Sequence, residues 1–505
     1  MAPCQVTGAS MSSPSLQYSS FVDKSSAAWR KTAAVAICCA VLASCASIPD
    51  LGPMEKPASM DGLAADKSLG APVGEWPTQA WWKSFGDPQL DQLMDEALAS
   101  SPSMAQAQAR LNAAIARSKG ARAALFPSVS LDASASEQKL TYNSIFPKDV
   151  VPKGWNDYGA ASLNFGWELD FWGKNRSALD AATSEALAVQ ADAAAARVLL
   201  TTELASRYVQ LNGLHVQRDL ASDTLRNRED SERMAMRRVD QGLDTQTTLE
   251  QAHARAKLAR ADLADVEERI ELARNGIAAL LGRGPDRGLN IHETHLSPSL
   301  SLALPETLKS DLIGRKPEIV AARWRVESAA KRIGVAKAGF YPSVNLVALV
   351  GYESLGLNRL FDSGSDAGRA GVAIHLPIFE GGRLRANYSR AWAEYEFAVA
   401  SYNDALVQAL RETADAVRSL QALPIRLEAT ESAVVSSDKA YQLAKRRYEG
   451  GLSNYQTVLT TEDAALNARM AVNALWVRGL SLDIALTKAL GGGFSDSSMN
   501  EQVTR

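Results

Sequence analysis

Four stretches of the chain alternate apolar and polar residues with a period of two. In the first, Val129, Leu131, Ala133 and Ala135 alternate with Ser128, Ser130, Asp132, Ser134 and Ser136. In the second, Ala161, Leu163, Phe165, Trp167 and Leu169 alternate with Ser162, Asn164, Gly166 and Glu168. The third places Val344, Leu346, Ala348, Val350 and Tyr352 on one face; the fourth places Val372, Ile374, Leu376 and Ile378 there. This is the period of a β-strand with one apolar side. Each runs about ten residues, the length of a tilted strand that crosses a bilayer. A half-buried hairpin of a soluble domain would show the same alternation. The opposite faces are small or polar, which favours strands that meet lipid on one side and water on the other.

A helical pattern follows each pair of strands, from about residue 176 to 241 and from about 384 to 449. Ten alanines fall within residues 178–200, so helix propensity is high. At ~1.5 Å per residue, such a segment spans on the order of 100 Å. Gly242 and Gly450-Gly451 then supply turns. The return helices carry Leu263, Val266, Ile270, Ala273, Ile277 and Leu280, and Val472, Leu475, Gly479, Leu482 and Leu486. That rhythm is a coiled-coil-like seam. Pro424 predicts a break midway along the second long helix.

The elements recur because the sequence does. Phe126-Pro127-Ser128-Val129-Ser130-Leu131 returns as Tyr341-Pro342-Ser343-Val344-Asn345-Leu346, an offset of 215 that also pairs Pro102 with Pro317. Arg237–Leu243 matches Arg446–Leu452 at an offset of 209, and so does Leu281-Gly282 with Leu490-Gly491. The change of offset falls between residues 131 and 173, so the first copy has the longer hairpin loop. A length of 505 residues alone suggests about three domains. The repeats instead predict one unit used twice, at 87–290 and 305–491, with a linker at 291–304 and a tail at 492–505. The fold class is α+β: four strands per chain over long helical hairpins. Four strands cannot close a barrel, and open edges are not tolerated in lipid. The chain is therefore expected to share a barrel with copies of itself.

Composition changes the picture at the N-terminus. All four cysteines, Cys4, Cys38, Cys39 and Cys45, precede residue 46, so the rest of the chain has no thiol chemistry. Lys24, Arg30 and Lys31 lead into the apolar stretch Thr32–Leu42, and Leu42-Ala43-Ser44-Cys45 follows. This reads as a secretory signal over residues 1–44, with Met1 or Met11 as the start. Leu-Ala-Ser-Cys resembles the bacterial lipoprotein box, which implies a covalent lipid on Cys45 and, with Ala46 next, the outer membrane. Residues 46–80 are rich in Pro, Gly, Ala and Ser, so 45–86 reads as a lipid-anchored tether. The formal net charge of −3 gives no electrostatic case for nucleic acid.

The chain then resembles a known family. Strand hairpins joined to helical hairpins, in two copies, look like the TolC-type outer-membrane factors. Trp81-Trp82-Lys83-Ser84-Phe85-Gly86-Asp87-Pro88-Gln89-Leu90 is similar to the opening motif of their lipoprotein branch, the NodT/OprM-like efflux proteins. So are Trp167-Glu168-Leu169-Asp170-Phe171-Trp172-Gly173-Lys174, Pro377-Ile378-Phe379-Glu380-Gly381-Gly382-Arg383 and Ala489-Leu490-Gly491-Gly492-Gly493. The resemblance implies a homotrimer forming an outer-membrane β-barrel continued by a periplasmic α-barrel. Its implied partners are a periplasmic adaptor (membrane fusion) protein, an inner-membrane efflux pump and outer-membrane lipid. The implied role is export of antibiotics and aromatic toxins such as fusaric acid; a duct for secreted protein is the alternative.

The same resemblance places adaptor contacts at Gly242, Leu243, Gly451 and Leu452. It places the periplasmic gate at Thr460 and Gln456, where the family carries a ring of aspartates and an apolar or polar ring one turn away, and at Tyr448, which matches the family's tyrosine. Thr248 and Ser453 stand where a relative has an acid and a base. Helix geometry offers Asp463, one turn beyond Thr460, as a substitute lining residue, with Glu462 turned away. No enzyme motif is present: His292-Glu293-Thr294-His295 lacks the zinc-protease spacing, and no metal or cofactor is expected beyond the lipid.

Overall fold

A computed structural model of the chain describes residues 47–496, apart from residues 66, 71, 144, 146, 295, 297–303 and 307. The lipoprotein box with Cys45 lies outside the described residues.

The elements run α1 (Pro88–Ser100), α2 (Pro102–Ala123), β1 (Ser128–Gln138), β2 (Asn156–Leu169), α3 (Lys174–Asp240) and α4 (Gln246–Leu280). The order then repeats as α5 (Leu308–Arg315), α6 (Pro317–Ala338), β3 (Ser343–Leu355), β4 (Asp366–His375), α7 (Arg383–Glu449) and α8 (Tyr455–Ala489). Beyond the first pair, α1 and α5, corresponding helices match in length: α2 and α6 have 22 residues, α3 and α7 have 67, α4 and α8 have 35. Pro102 and Pro317 each open a helix, where proline's missing N–H costs nothing.

The strands form one antiparallel sheet in the order β1-β2-β3-β4. Its register lines up the apolar residues found by alternation. Val129 faces Phe165, which faces Ala348; Leu131 faces Leu163, which faces Val350. Trp167 faces Leu346, which faces Val372. Val129, Leu131, Val350, Val372 and Ile374 are exposed, so one whole face of the sheet is apolar and uncovered within the chain. β1 and β4 each pair on one side only. The fourth strand ends at His375, so Leu376 and Ile378 lie beyond it. Pro377 explains the stop, because proline cannot donate to a ladder and holds its predecessor to a restricted backbone. The loop between β1 and β2 is longer than that between β3 and β4, as the change of offset requires.

Pro424 does not break α7, contrary to expectation. It is exposed, while Leu420 and Leu423 beside it are buried. The cost of one lost hydrogen bond falls on the open side, and packing of the flanking residues holds the helix on course.

The motifs of the sequence are junctions. Asp87 caps α1 through the amide of Gln89 at 2.8 Å and accepts the Tyr208 hydroxyl from α3 at 2.6 Å. Asp170 accepts the amide of Arg176 at 2.8 Å, fastening the start of α3 below β2. Trp172 stacks on Tyr341 at 4.7 Å and donates to the Pro342 carbonyl, tying the two copies together at the same level. Ser47, Glu55, Ala58 and Gly70 lie against α7. Arg385 reaches the Ser47 hydroxyl, Tyr395 donates to the Glu55 carbonyl, the Ala58 amide donates to Asn403, and Gln421 donates to the Gly70 carbonyl. These contacts step along about 50 Å of one helix.

Candidate gate at the ends of the helical hairpins

Each long helix ends in the same way. Gly242 has φ 70° and Gly451 has φ 75°, the left-handed conformation that glycine adopts without strain. The amide of Leu243 returns to the Arg238 carbonyl at 2.8 Å, and that of Leu452 to the Arg447 carbonyl at 2.7 Å. Thr245 then caps α4 through the amide of Thr248, and Asn454 caps α8 through that of Thr457. With the backbone closed so tightly, Leu243 and Leu452 are pushed outward and are 60% and 72% exposed.

The two turns are joined through Asp244, a residue that the sequence reading passed over. Tyr448 donates its hydroxyl to Asp244 Oδ2 at 2.7 Å. Arg238 lies 3.6 Å from the same oxygen and spreads over the Tyr448 ring at 4.9 Å. Burial alone would raise the Asp244 carboxyl. Hydrogen bonds from Thr248, Tyr448 and the Thr245 amide, with the charge of Arg238, outweigh it and hold the carboxyl below its ordinary 3.8. Burial, then Asp244, pushes the Tyr448 hydroxyl up. Thr248 therefore contributes a hydroxyl to this clasp, whereas Ser453 turns to the Asn454 carbonyl. The position of Asp244, two residues after a turn glycine and beside a cap, was the available signal.

A second polar centre lies further in. Arg228 of α3 is buried and holds two consecutive acids of α8, Glu462 at 3.0 Å and Asp463 at 2.8 Å. Arg255 of α4 approaches the other Asp463 oxygen at 3.6 Å. Glu462 is buried, turned to Arg228, and burial raises its carboxyl above 4.5 despite that charge. Tyr441 and Tyr455 are buried beside it, and burial pushes both hydroxyls up to about 12. Asp463 is thus an ion-paired residue at the rim of the helix interface, with 40% of its side chain exposed. Gln456 and Thr460 lie on the open face of α8, and Thr460 bonds back to the Gln456 carbonyl.

Other candidates are drawn apart. Glu293 pairs with Arg218, His215 is buried against Thr294, and the amide of His292 donates to Gln89. Among the described residues no group of His, Cys, Asp and Glu could hold a metal, and no helix is long and apolar enough to cross a membrane.

A sequence model of the family described as outer membrane efflux protein matches residues 93–283 and 308–492. The fusaric acid resistance protein FusA of Burkholderia cepacia is 34% identical over 359 residues, 70% of this chain and 67% of that protein. The pyoverdine export outer membrane protein OpmQ of Pseudomonas aeruginosa is 30% identical over 470 residues, 90% of this chain and 95% of that protein. The crystal structure of the outer membrane protein VceC from Vibrio cholerae has a TM-score of 0.77 at 44% identity, covering 83% of this chain and 100% of that one.

Proposed function

The chain belongs to the outer membrane efflux protein family, and we propose that it is the passive exit duct of a tripartite pump for small toxic compounds. It is an outer-membrane efflux component whose helices extend into the periplasm. Members of this family are channels, not enzymes.

One observation carries the proposal. The sheet has two unpaired edges and an uncovered apolar face, and it stands on two helical hairpins about 100 Å long. Three copies satisfy the edges as a twelve-stranded barrel, wide enough for a channel. Each copy contributes two hairpins, and Leu243 and Leu452 with Gly242 and Gly451 offer a periplasmic adaptor six exposed leucines in all. The adaptor joins the duct to an inner-membrane pump. A lipid on Cys45 holds the start of the N-terminal segment, Ser47 beside Arg385, at the same membrane as the strands.

The gate lies at the hairpin ends. Tyr448 bound to Asp244 keeps the second hairpin against the first, and Gln456 and Thr460 line the constriction with neutral side chains. Asp463 lines it as a carboxylate already neutralised by Arg228 and Arg255, so the ring it forms is weakly charged. The cargo class includes aromatic acids, by similarity to the fusaric acid resistance protein.

The test has two parts. A deletion strain is exposed to a panel of antibiotics, dyes and fusaric acid, with its secreted proteins profiled alongside. Purified protein is sized by mass and recorded in planar bilayers. Increased susceptibility with unchanged secreted protein, a trimeric mass and discrete conductance support the reading. Unchanged susceptibility with loss of a secreted protein assigns the duct to secretion instead.

A further inference from the structure

The buried Arg228 centre has no part in the turns or in the Tyr448–Asp244 bond. Its guanidinium comes from the first hairpin, and both acids it holds come from the second. It sits twelve residues inside the end of α3, about 18 Å from the turn. Every surrounding element supplies a polar group: Arg255 from α4, Tyr441 and Lys445 from α7, Tyr455, Glu462 and Asp463 from α8. The Tyr441 and Tyr455 hydroxyls and Arg228 Nη1 are buried without a protein partner. A buried ion pair is a poor way to gain stability, since an apolar pair of similar volume does as well or better. It is a sensitive way to fix one arrangement, because parting it leaves charges unmatched in a buried site.

We infer that Arg228 is a positioning residue of the gate: an inner clasp that keeps the two hairpins together after the tip clasp has parted. The inference rests on the gate reading given above. The two clasps act in series along the hairpins. Release of Tyr448 from Asp244 frees only the segment beyond Arg228, and the hairpins separate along their length only when Arg228 also lets go of Glu462 and Asp463.

The test records full-length Tyr448→Phe, Arg228→Gln and the combined variant in planar bilayers, with trimer recovery checked by mobility. Each single variant is expected to raise the closed-state conductance modestly, and the combination several-fold above either. In the Tyr448→Phe background, Arg228→Lys keeps a charge and restores closure, whereas Arg228→Met fills the space without a charge and does not. Should Arg228→Gln fail to assemble, Glu462→Gln removes the buried partner charge at nearly constant volume, leaves the lining residue Asp463 in place and is expected to behave alike.

A combined variant that conducts no more than Tyr448→Phe alone overturns the inner clasp and leaves the tip reading intact. Closure by Arg228→Met as complete as by Arg228→Lys also overturns it, since packing would then suffice. Silence of Tyr448→Phe while the Arg228 variants open the channel overturns the tip clasp instead.

Discussion

At the scale of single residues, position within a junction decides what a side chain does. Gly491 has φ 85°, and a Cβ there would fall 1.9 Å from the Arg315 carbonyl oxygen. Gly491→Ala should therefore cost more than the ~1–2 kcal/mol of a left-handed backbone alone, measured as lost yield and a lower thermal midpoint. Gly450 has φ −80° and nothing closer than 3.6 Å, so Gly450→Ala should be tolerated. Only Gly451 of that pair serves the turn. Asp483 behaves differently. It is half-buried in α8, and burial raises its carboxyl from 3.8 to about 6. The folded chain keeps that proton where the unfolded chain has lost it, so stability falls as pH rises between those values and stays lower above them. Asp483→Asn should melt higher than the parent at neutral pH and equal to it below pH 3.8. Equal midpoints at both would count against this.

At the scale of elements, the period of the sequence was nearly sufficient. Alternation located the four strands because one side must be apolar throughout and a slip of one residue would invert every position. The helix ends were legible because glycine at positive φ leaves a distinct signature. The candidate gate was less so. Asp463 was placed by helical spacing, but spacing says nothing of Arg228, 235 residues away, which pairs with it. Asp244 was missed for the same reason: its partner Tyr448 is 204 residues distant. Pro424 was misread because a local cost was taken for a local outcome, whereas the packing of Leu420 and Leu423 overrides it. Pro424→Ala should consequently leave the helix course unchanged and raise the thermal midpoint by a few degrees, as follows from restoring a hydrogen bond in a helix interior. A lower midpoint, or altered conductance, would show the proline to be required.

At the scale of the whole molecule, two copies of one unit give a chain that is long rather than large. The segment bearing Ser47, Glu55, Ala58 and Gly70 adds a strap down α7, yet its partners arrive very late in the sequence. Ser47, Glu55, Ala58 and Gly70 meet residues 338, 340, 345 and 351 positions further along. Contacts that close such long loops form slowly, because the chain between must be ordered first. The strap should thus be the last part to gain protection in pulse-labelled hydrogen exchange during refolding, after α3 and α7 are already protected. Protection of the strap before α7 would contradict this order. The segment made first is then the one that settles last, because until α7 is complete the strap has nothing to lie against.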